Sequence, residues 1–131
     1  MTESVDVFSA RVVTKPWGSE HVFAEYPGLY VGKIIHVHAG HGLSLQYHRS
    51  KTETITIVQG VADVDYGDSS EVLESRRLEV GDTIHLPAGV VHRLTAVEDV
   101  VFAEVSTAAP GWEYDVERLE DRYGRAGTSA P

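Results

Sequence analysis

Short stretches in which apolar and polar residues alternate recur along this chain, and residues typical of turns separate them. A period of two is the pattern of a half-buried β-strand, and many short strands between turns favour a sandwich or a barrel. Glycine and proline mark the turns, as at Pro27-Gly28 and at Pro87-Ala88-Gly89. The pattern predicts an all-β fold with strands at Val5–Val13, Glu20–Glu25, Tyr30–His38, Ser44–His48, Glu53–Gln59, Ala62–Tyr66, Val72–Glu79, Thr83–Leu86, His92–Val97 and Val100–Val105.

The pattern becomes less regular after Pro110. Val116 and Leu119 fit either one face of a short helix or the end of a strand, so a short C-terminal helix or an irregular segment is expected there. Residues 124–131 are small and polar, which predicts a flexible tail. A chain of 131 residues has room for one hydrophobic core, so residues 1–131 are expected to form a single domain.

Composition excludes several classes of protein. The formal net charge of −9 disfavours nucleic acid and anionic membrane surfaces as partners. The chain has no cysteine, so disulfides, thiolate metal ligands and cysteine nucleophiles are excluded. The first residues lack the basic and apolar regions of a secretory signal, and no stretch is long enough to span a bilayer. We therefore expect a cytoplasmic protein.

Strand alternation turns two ionisable side chains inward. Glu53 shares a face with Ile55 and Ile57, and His92 shares a face with Leu94, because residues two apart lie on the same side of a strand. An unpaired carboxylate is costly inside a protein. Glu53 therefore needs a cation.

Gln46 and His48 share one face of a neighbouring strand by the same rule. Together with Glu53 and His92 they form a set of nitrogen and oxygen ligands that suits a divalent metal ion. A hydrogen-bonded network without a metal is the alternative, and four such residues together favour the metal. Zinc is the expected ion, and manganese, iron, cobalt and nickel remain alternatives.

Two glycine-bounded segments carry these four residues with the spacing of a known superfamily. The first segment places Gln46, His48 and Glu53 between Gly40 and Gly60, and the second runs through Gly81, Pro87, Gly89 and His92. Both segments resemble the two motifs of the cupin superfamily, with Gln46 standing where the first histidine usually is. The resemblance implies a small antiparallel barrel or jelly roll with these four residues around a metal.

Three stretches narrow this resemblance to one branch of the superfamily. The Gln-x-His pair in Leu43–His48, the run Lys15-Pro16-Trp17-Gly18 and the run Arg118–Arg125 are similar to the cupin domain of type II mannose-6-phosphate isomerases. The similarity covers about residues 15–125. Many such enzymes also have a guanylyltransferase domain, which is not in these 131 residues, so we expect no nucleotide transfer.

The resemblance implies a metal-dependent aldose-ketose isomerase that acts on mannose 6-phosphate and fructose 6-phosphate. It also implies a small-molecule sugar phosphate as the partner and a homodimer. The alternatives are a sugar or sugar-nucleotide binding cupin without catalysis, and a cupin lyase, cyclase or oxygenase.

Several further side chains are candidates for the site. Lys33 lies on the more apolar face of its predicted strand, so it is a candidate catalytic group, and Lys51 occupies the position of an arginine in the isomerases. A basic residue in a turn, a loop histidine and an aromatic residue beside a turn are types that can border a sugar-phosphate pocket. The substrate-binding candidates of these types are Arg49, His41, His38 and Trp17.

Overall fold

The computed structural model describes residues 4–131, and within them nearly all regular structure is β-strand. One turn of 3-10 helix at Trp112–Tyr114 interrupts the strands. The strands are β1 (Arg11–Lys15), β2 (Gly18–Tyr26), β3 (Tyr30–Val37), β4 (Leu45–Tyr47), β5 (Glu53–Gln59), β6 (Ala62–Ser69), β7 (Val72–Leu78), β8 (Thr83–Leu86), β9 (Val91–Ala96), β10 (Val100–Thr107) and β11 (Glu117–Glu120).

The strands form two antiparallel sheets. The large sheet has six strands in the order β1-β2-β3-β10-β5-β8, and the small sheet has five in the order β11-β4-β9-β6-β7. Ile35, Ile55 and Phe102 of the large sheet meet Val64 and Leu94 of the small sheet in one buried cluster. Packing of two inner faces in this way makes a sandwich of the jelly-roll type, which confirms the predicted all-β fold.

Both ends of the chain differ from the prediction. The first strand begins at Arg11, and residues 4–10 have no regular structure, because Val5 and Val7 remain 93% and 97% exposed with no surface to pack on. The segment after the 3-10 turn is a strand, β11, because it pairs with β4.

Residues 124–131, the predicted flexible tail, contact β11 through several hydrogen bonds. The buried guanidinium of Arg118 donates hydrogen bonds to Thr128 Oγ1 at 3.0 Å and to the Ala130 carbonyl at 2.6 Å. The Gly127 amide also donates to the Arg118 carbonyl at 2.7 Å. A buried cation needs such acceptors, and the tail supplies them.

Gly60 ends the first glycine-bounded segment for a backbone reason. Its φ of +84° lies in the left-handed region, and a Cβ atom at this position would overlap the Asp99 carbonyl. Only glycine avoids both the strain and the overlap. No helix in residues 4–131 has the length and apolar character needed to cross a membrane.

Candidate metal centre

Three chain segments bring together three buried side chains that are suited to hold a metal ion. Glu53 is the first residue of β5, His92 lies in β9, and His48 follows directly after β4. The register of β4 with β9 places Gln46 opposite His92, which sets the two segments side by side. The ligand atoms of His48, Glu53 and His92 lie within 4.8 Å of one another, and each residue is at most 6% exposed.

Two of the separations between these atoms are close to those of ligands on one ion. Glu53 Oε1 lies 2.9 Å from His92 Nε2 and 3.5 Å from His48 Nε2. Two ligands that each lie about 2.0–2.2 Å from a metal are separated by roughly 3–3.6 Å in tetrahedral geometry. A zinc-sized ion therefore fits with little movement of the side chains.

Backbone carbonyls orient both imidazole rings. The Nδ1 of His48 lies 2.5 Å from the Asp115 carbonyl, and the Nδ1 of His92 lies 3.0 Å from the Val90 carbonyl. A carbonyl oxygen only accepts, so each Nδ1 carries the hydrogen and each Nε2 lone pair faces the Glu53 carboxylate. Lone pairs that converge on a carboxylate need a cation between them, and the donor set therefore fits a metal ion.

The Gln46 amide faces His48 with its nitrogen, and its oxygen is turned away from the other three groups. Its Oε1 accepts a hydrogen bond from Ser44 Oγ at 2.5 Å, and its Nε2 lies 3.5 Å from His48 Nε2. A half turn of the amide would present the oxygen to a metal, and Ser44 Oγ could then accept a hydrogen bond from Nε2. A ligand role for Gln46 requires that rotation.

Glu104 is a buried member of the site that sequence reasoning missed. It lies in β10 opposite Lys33, it is only 7% exposed, and its carboxyl is hydrogen-bonded to Glu53. Burial, and next the charge of Glu53, raise the pKa of Glu104 well above its ordinary value. Alternation in Val100–Val105 already placed Glu104 on the same face as Phe102, so the signal was present.

Glu53, the partner of Glu104 in this carboxyl pair, is held in its ionised form. Burial acts to raise its pKa, but the hydrogen bond from Glu104, the adjoining His48 and His92 rings and the charge of Lys51 hold the pKa well below the ordinary value. Glu104 therefore acts as the donor of this carboxyl pair and Glu53 as the charged acceptor.

Both predicted catalytic lysines reach the interior. Lys51 Nζ lies 3.9 Å from Glu53 Oε2, and Lys33 Nζ lies 3.1 Å from Glu20 Oε1. Burial acts to lower the pKa of Lys33, but the adjoining carboxyl groups of Glu104 and Glu20 raise it above its ordinary value. Lys33 is therefore an ammonium ion, which cannot accept a proton.

A cleft leads from the surface to these residues. It has a volume of about 320 Å³, and it continues into an inner cavity of about 60 Å³ that contains Glu53, His92 and Glu104. Volumes of this size are typical of small-molecule sites. Six of the eleven Lys and Arg side chains of the chain border the cleft: Arg11, Lys15, Lys33, Lys51, Arg118 and Arg125.

Two of these cations have no carboxylate partner within residues 4–131. Burial lowers the pKa of both Lys15 and Arg118, and neither forms a salt bridge in the described part of the chain. Arg118 Nε is buried and has no hydrogen-bond partner among those residues. The cleft wall therefore carries positive charge that an anion could neutralise, although the whole chain is acidic.

The predicted substrate-binding residues mostly lie elsewhere. Arg49 is exposed and donates to Glu117 at 3.0 Å, and neither cavity includes Arg49, His38 or His41 among its lining residues. His41 lies 2.7 Å from the Tyr123 hydroxyl instead. Trp17 borders the cleft but is only 2% exposed, so its ring packs in the core and offers no open face to a sugar.

Comparison with known proteins places this site in a family. A family profile described as "Mannose-6-phosphate isomerase C-terminal" matches residues 3–121. The alginate biosynthesis protein AlgA of Pseudomonas aeruginosa is 33% identical over 120 residues, which is 90% of this chain and 24% of that protein. The mannose-1-phosphate guanylyltransferase ManC of Salmonella typhimurium is 33% identical over 117 residues, 88% of this chain and 23% of that protein. The chain thus spans about a quarter of the length of these curated relatives.

Solved structures share the fold. The capsular polysaccharide assembling protein CapF of Staphylococcus aureus superposes with a TM-score of 0.75 at 15% identity, over 88% of this chain and 35% of that one. Oxalate decarboxylase of Bacillus subtilis superposes with a TM-score of 0.74 at 18% identity, over 90% of this chain and 33% of that one. At such identities the likeness establishes the fold alone.

Proposed function

The chain belongs to the mannose-6-phosphate isomerase C-terminal family, and we propose from this premise that it is a metal-dependent isomerase that interconverts an aldose phosphate and a ketose phosphate. Mannose 6-phosphate and fructose 6-phosphate are the proposed pair. The observation that carries the proposal is the buried group of His48, Glu53 and His92 at the base of a cleft with basic walls.

His48, Glu53 and His92 would hold the metal, with Gln46 as a fourth ligand after rotation of its amide. Two imidazoles, a carboxylate and an amide oxygen suit zinc, and manganese, iron, cobalt or nickel would accept the same set. A bound divalent ion polarises the carbonyl and hydroxyl oxygens of a sugar and stabilises the negative charge that develops on them.

The basic wall of the cleft suits the phosphate end of the substrate. Arg118 is a buried cation and Lys15 a half-buried one, neither has a carboxylate partner in the described residues, and Arg118 Nε is a free donor there. A guanidinium group matches the oxygens of a phosphate in geometry and charge. The substrate would therefore lie with its phosphate at this wall and its carbonyl end at the inner cavity.

Isomerisation requires a proton to leave the carbon beside the carbonyl and to return to the neighbouring carbon. Glu20 borders both the cleft and the inner cavity, with its Oε1 3.1 Å from Lys33 Nζ, and a carboxylate in this place can accept this proton. Lys33 would hold Glu20 in place, and Lys51 would place an ammonium charge beside the developing enediolate. We therefore assign the proton transfer to Glu20 and electrostatic roles to the two lysines.

Proton NMR in deuterated water tests the function directly. Protein loaded with zinc is incubated with fructose 6-phosphate, and the expected result is mannose 6-phosphate with solvent deuterium at carbon 2. Glu20→Gln should abolish the exchange while the metal content stays unchanged. Glu74→Gln, on an exposed strand of the small sheet, is the matched control and should exchange normally.

A second candidate function has one observation in its favour. Lys33, a predicted catalytic group, is an ammonium ion paired with Glu20, so a binding module without catalysis would also fit. Saturable binding of the sugar phosphate with no exchange by fully metal-loaded protein would replace the isomerase with this module. Absence of both binding and exchange would contradict both functions.

A further inference from the structure

The chain has two tryptophans, and their surroundings in the structure differ. Trp17 is only 2% exposed and belongs to the main hydrophobic cluster between the two sheets. Trp112 is half-buried and borders the cleft that leads to the metal centre. Of the two, Trp112 is therefore the one with ring surface left for a ligand.

The 3-10 turn holds this indole in a fixed place relative to the metal centre. The Trp112 amide donates to the Ala109 carbonyl at 3.0 Å, and the Trp112 carbonyl accepts from the Asp115 amide at 3.1 Å. Asp115 in turn orients the His48 ring through its own carbonyl. The backbone thus connects Trp112 to a metal ligand, and the indole is in place before a ligand arrives, which lowers the entropy lost on binding.

The contacts of Trp112 place it where the cleft meets the inner cavity. The indole packs on a small second cluster formed by Val22, Val31 and Ala108. Lys33 Nζ lies 5.6 Å from the centre of the indole ring. Lys33 borders both the cleft and the inner cavity, whereas Trp112 borders the cleft alone. Trp112 is therefore positioned to contact the part of a ligand that lies outside the metal centre.

The wall of the cleft is otherwise rich in charge. Six basic side chains and the carboxylates of Glu20, Glu113 and Asp115 border it. Such groups bind phosphate and hydroxyl oxygens, but the C–H surface of a ligand gains little from them. Small-molecule sites combine a few orienting polar groups with apolar and aromatic surface. Trp112 supplies aromatic surface in this cleft.

We infer that Trp112 is the platform on which the carbon chain of a hexose phosphate packs, and that it selects hexose phosphates over shorter phosphate esters. The inference rests on the proposed function, which places the phosphate at the basic wall and the carbonyl end at the inner cavity. A hexose 6-phosphate has a run of C–H groups between these two ends, and a triose phosphate has hardly any. The negative face of an indole suits such weakly positive C–H groups.

A purely structural role for Trp112 makes a different prediction. The indole could act only by holding Lys33, whose Nζ lies 3.1 Å from Glu20 Oε1, in its place beside the cleft. Loss of the indole would then weaken the binding of all phosphate esters alike, because a basic side chain of the cleft would be displaced. A platform instead affects only ligands that carry a carbon chain to pack on it.

Calorimetric titration of zinc-loaded protein with three ligands separates the two roles. We expect Trp112→Ala to bind mannose 6-phosphate about tenfold more weakly, since burial of roughly 60 Å² of C–H surface contributes about this factor. Its affinity for glyceraldehyde 3-phosphate and for inorganic phosphate should not change. Trp112→Phe keeps an aromatic ring and should recover most of the affinity for mannose 6-phosphate. Zinc content should equal that of the wild type in both variants.

Tyr114→Ala is the matched control. Tyr114 lies in the same 3-10 turn, is 64% exposed and borders neither the cleft nor the inner cavity. This variant should bind all three ligands as the wild type does. A difference between Trp112→Ala and Tyr114→Ala therefore reports the position of the indole and not a general loosening of the turn.

Tryptophan fluorescence gives a second readout that holds even if Trp112→Ala fails to fold. Mannose 6-phosphate should change the emission of the wild type, because a ligand on the platform alters the surroundings of the Trp112 ring. It should not change the emission of Trp112→Phe, whose remaining tryptophan, Trp17, is buried. A response that persists in Trp112→Phe would contradict contact with Trp112.

The outcomes distinguish this inference from the proposed function. Equal losses for all three ligands, unchanged affinity of Trp112→Ala for mannose 6-phosphate, or no binding of hexose phosphates by the wild type would each overturn the inference. A loss confined to the hexose phosphate, without deuterium exchange by the wild type, would retain the platform and refute only the isomerisation. Exchange by the wild type, together with normal binding by Trp112→Ala, would refute only the platform.

Discussion

Asp115 provides the sharpest test of how the metal centre is held together. Its carboxylate accepts hydrogen bonds from the backbone amides of Arg49, Ser50 and Lys51 at 2.7, 3.0 and 2.8 Å. Its own carbonyl accepts from the His48 ring. The residue therefore fixes the loop between His48 and β5 through its side chain and orients the imidazole through its backbone.

We expect Asp115→Ala to destabilise the metal-free protein by about 2 kcal/mol. Each hydrogen bond to a carboxylate contributes at least about 1 kcal/mol, and the sum is reduced because water can reach these amides once the side chain is removed. Affinity for zinc should fall by about 10–100-fold, since the loop that positions a ligand becomes looser. The His48 ring should keep its orientation because the Asp115 carbonyl is retained.

The effect should depend on pH in a defined direction. Burial acts to raise the pKa of Asp115, but the three backbone amides hold it below the ordinary value. A carboxyl whose pKa is lower in the folded chain stabilises it above the unfolded pKa of about 3.9, and this contribution is lost as the pH falls through the folded value. The difference between wild type and variant should therefore be constant near neutral pH and shrink below about pH 4.

Urea unfolding in the presence of a chelator, at several pH values from neutral to pH 3, measures the free energy of unfolding of each variant. Calorimetric titration with zinc measures the affinity for the metal. Asp63→Ala is the control, because it removes a carboxylate whose pKa is also lowered, but by the exposed side chain of Arg77. If the two variants lose the same stability, or if the difference for Asp115→Ala does not change with pH, the proposed role of the Asp115 carboxylate is wrong.

Three further predictions address the metal ligand His92, the buried carboxyl of Glu104 and the turn at Gly60. His92→Ala should lower zinc affinity more than about a hundredfold in calorimetric titration, whereas His85→Ala, on the exposed side of β8, should not change it. Glu104→Gln should have a free energy of unfolding within about 1 kcal/mol of the wild type, because an amide can still donate to the buried carboxylate. Glu104→Ala should lower the free energy of unfolding by about 2–4 kcal/mol. Equal losses in the two variants would argue against the donor role. Gly60→Ala should lower the free energy of unfolding, measured in urea, by at least about 2 kcal/mol, and by more than Gly81→Ala does. Both positions have positive φ, but only at Gly60 would the added Cβ atom overlap a neighbouring carbonyl.

Strand positions and faces were largely readable from alternation. Glu53, His92 and Lys33 were predicted to point inward, and all three do, because apolar neighbours two residues away determine which face is buried. The same rule would have found Glu104, had its strand been examined for charged inward positions. Local pattern therefore carried most of the information about which side chains are buried.

Local pattern failed where a segment depends on a partner elsewhere in the chain. Val5 and Val7 alternate as a strand would, yet residues 4–10 pair with no neighbour. Arg49 and His41 were grouped with the site as a basic turn residue and a loop histidine, and the structure pairs them with Glu117 and Tyr123. The residue type does not determine where a side chain points once the backbone has left the strand.

The sequence by itself determined the all-β fold, the inward side chains and the family, because strand period and motif spacing are local properties of the chain. Only the tertiary structure decided that Glu53 is shared between His48, His92 and Glu104, since these residues come from strands that meet through long-range pairing.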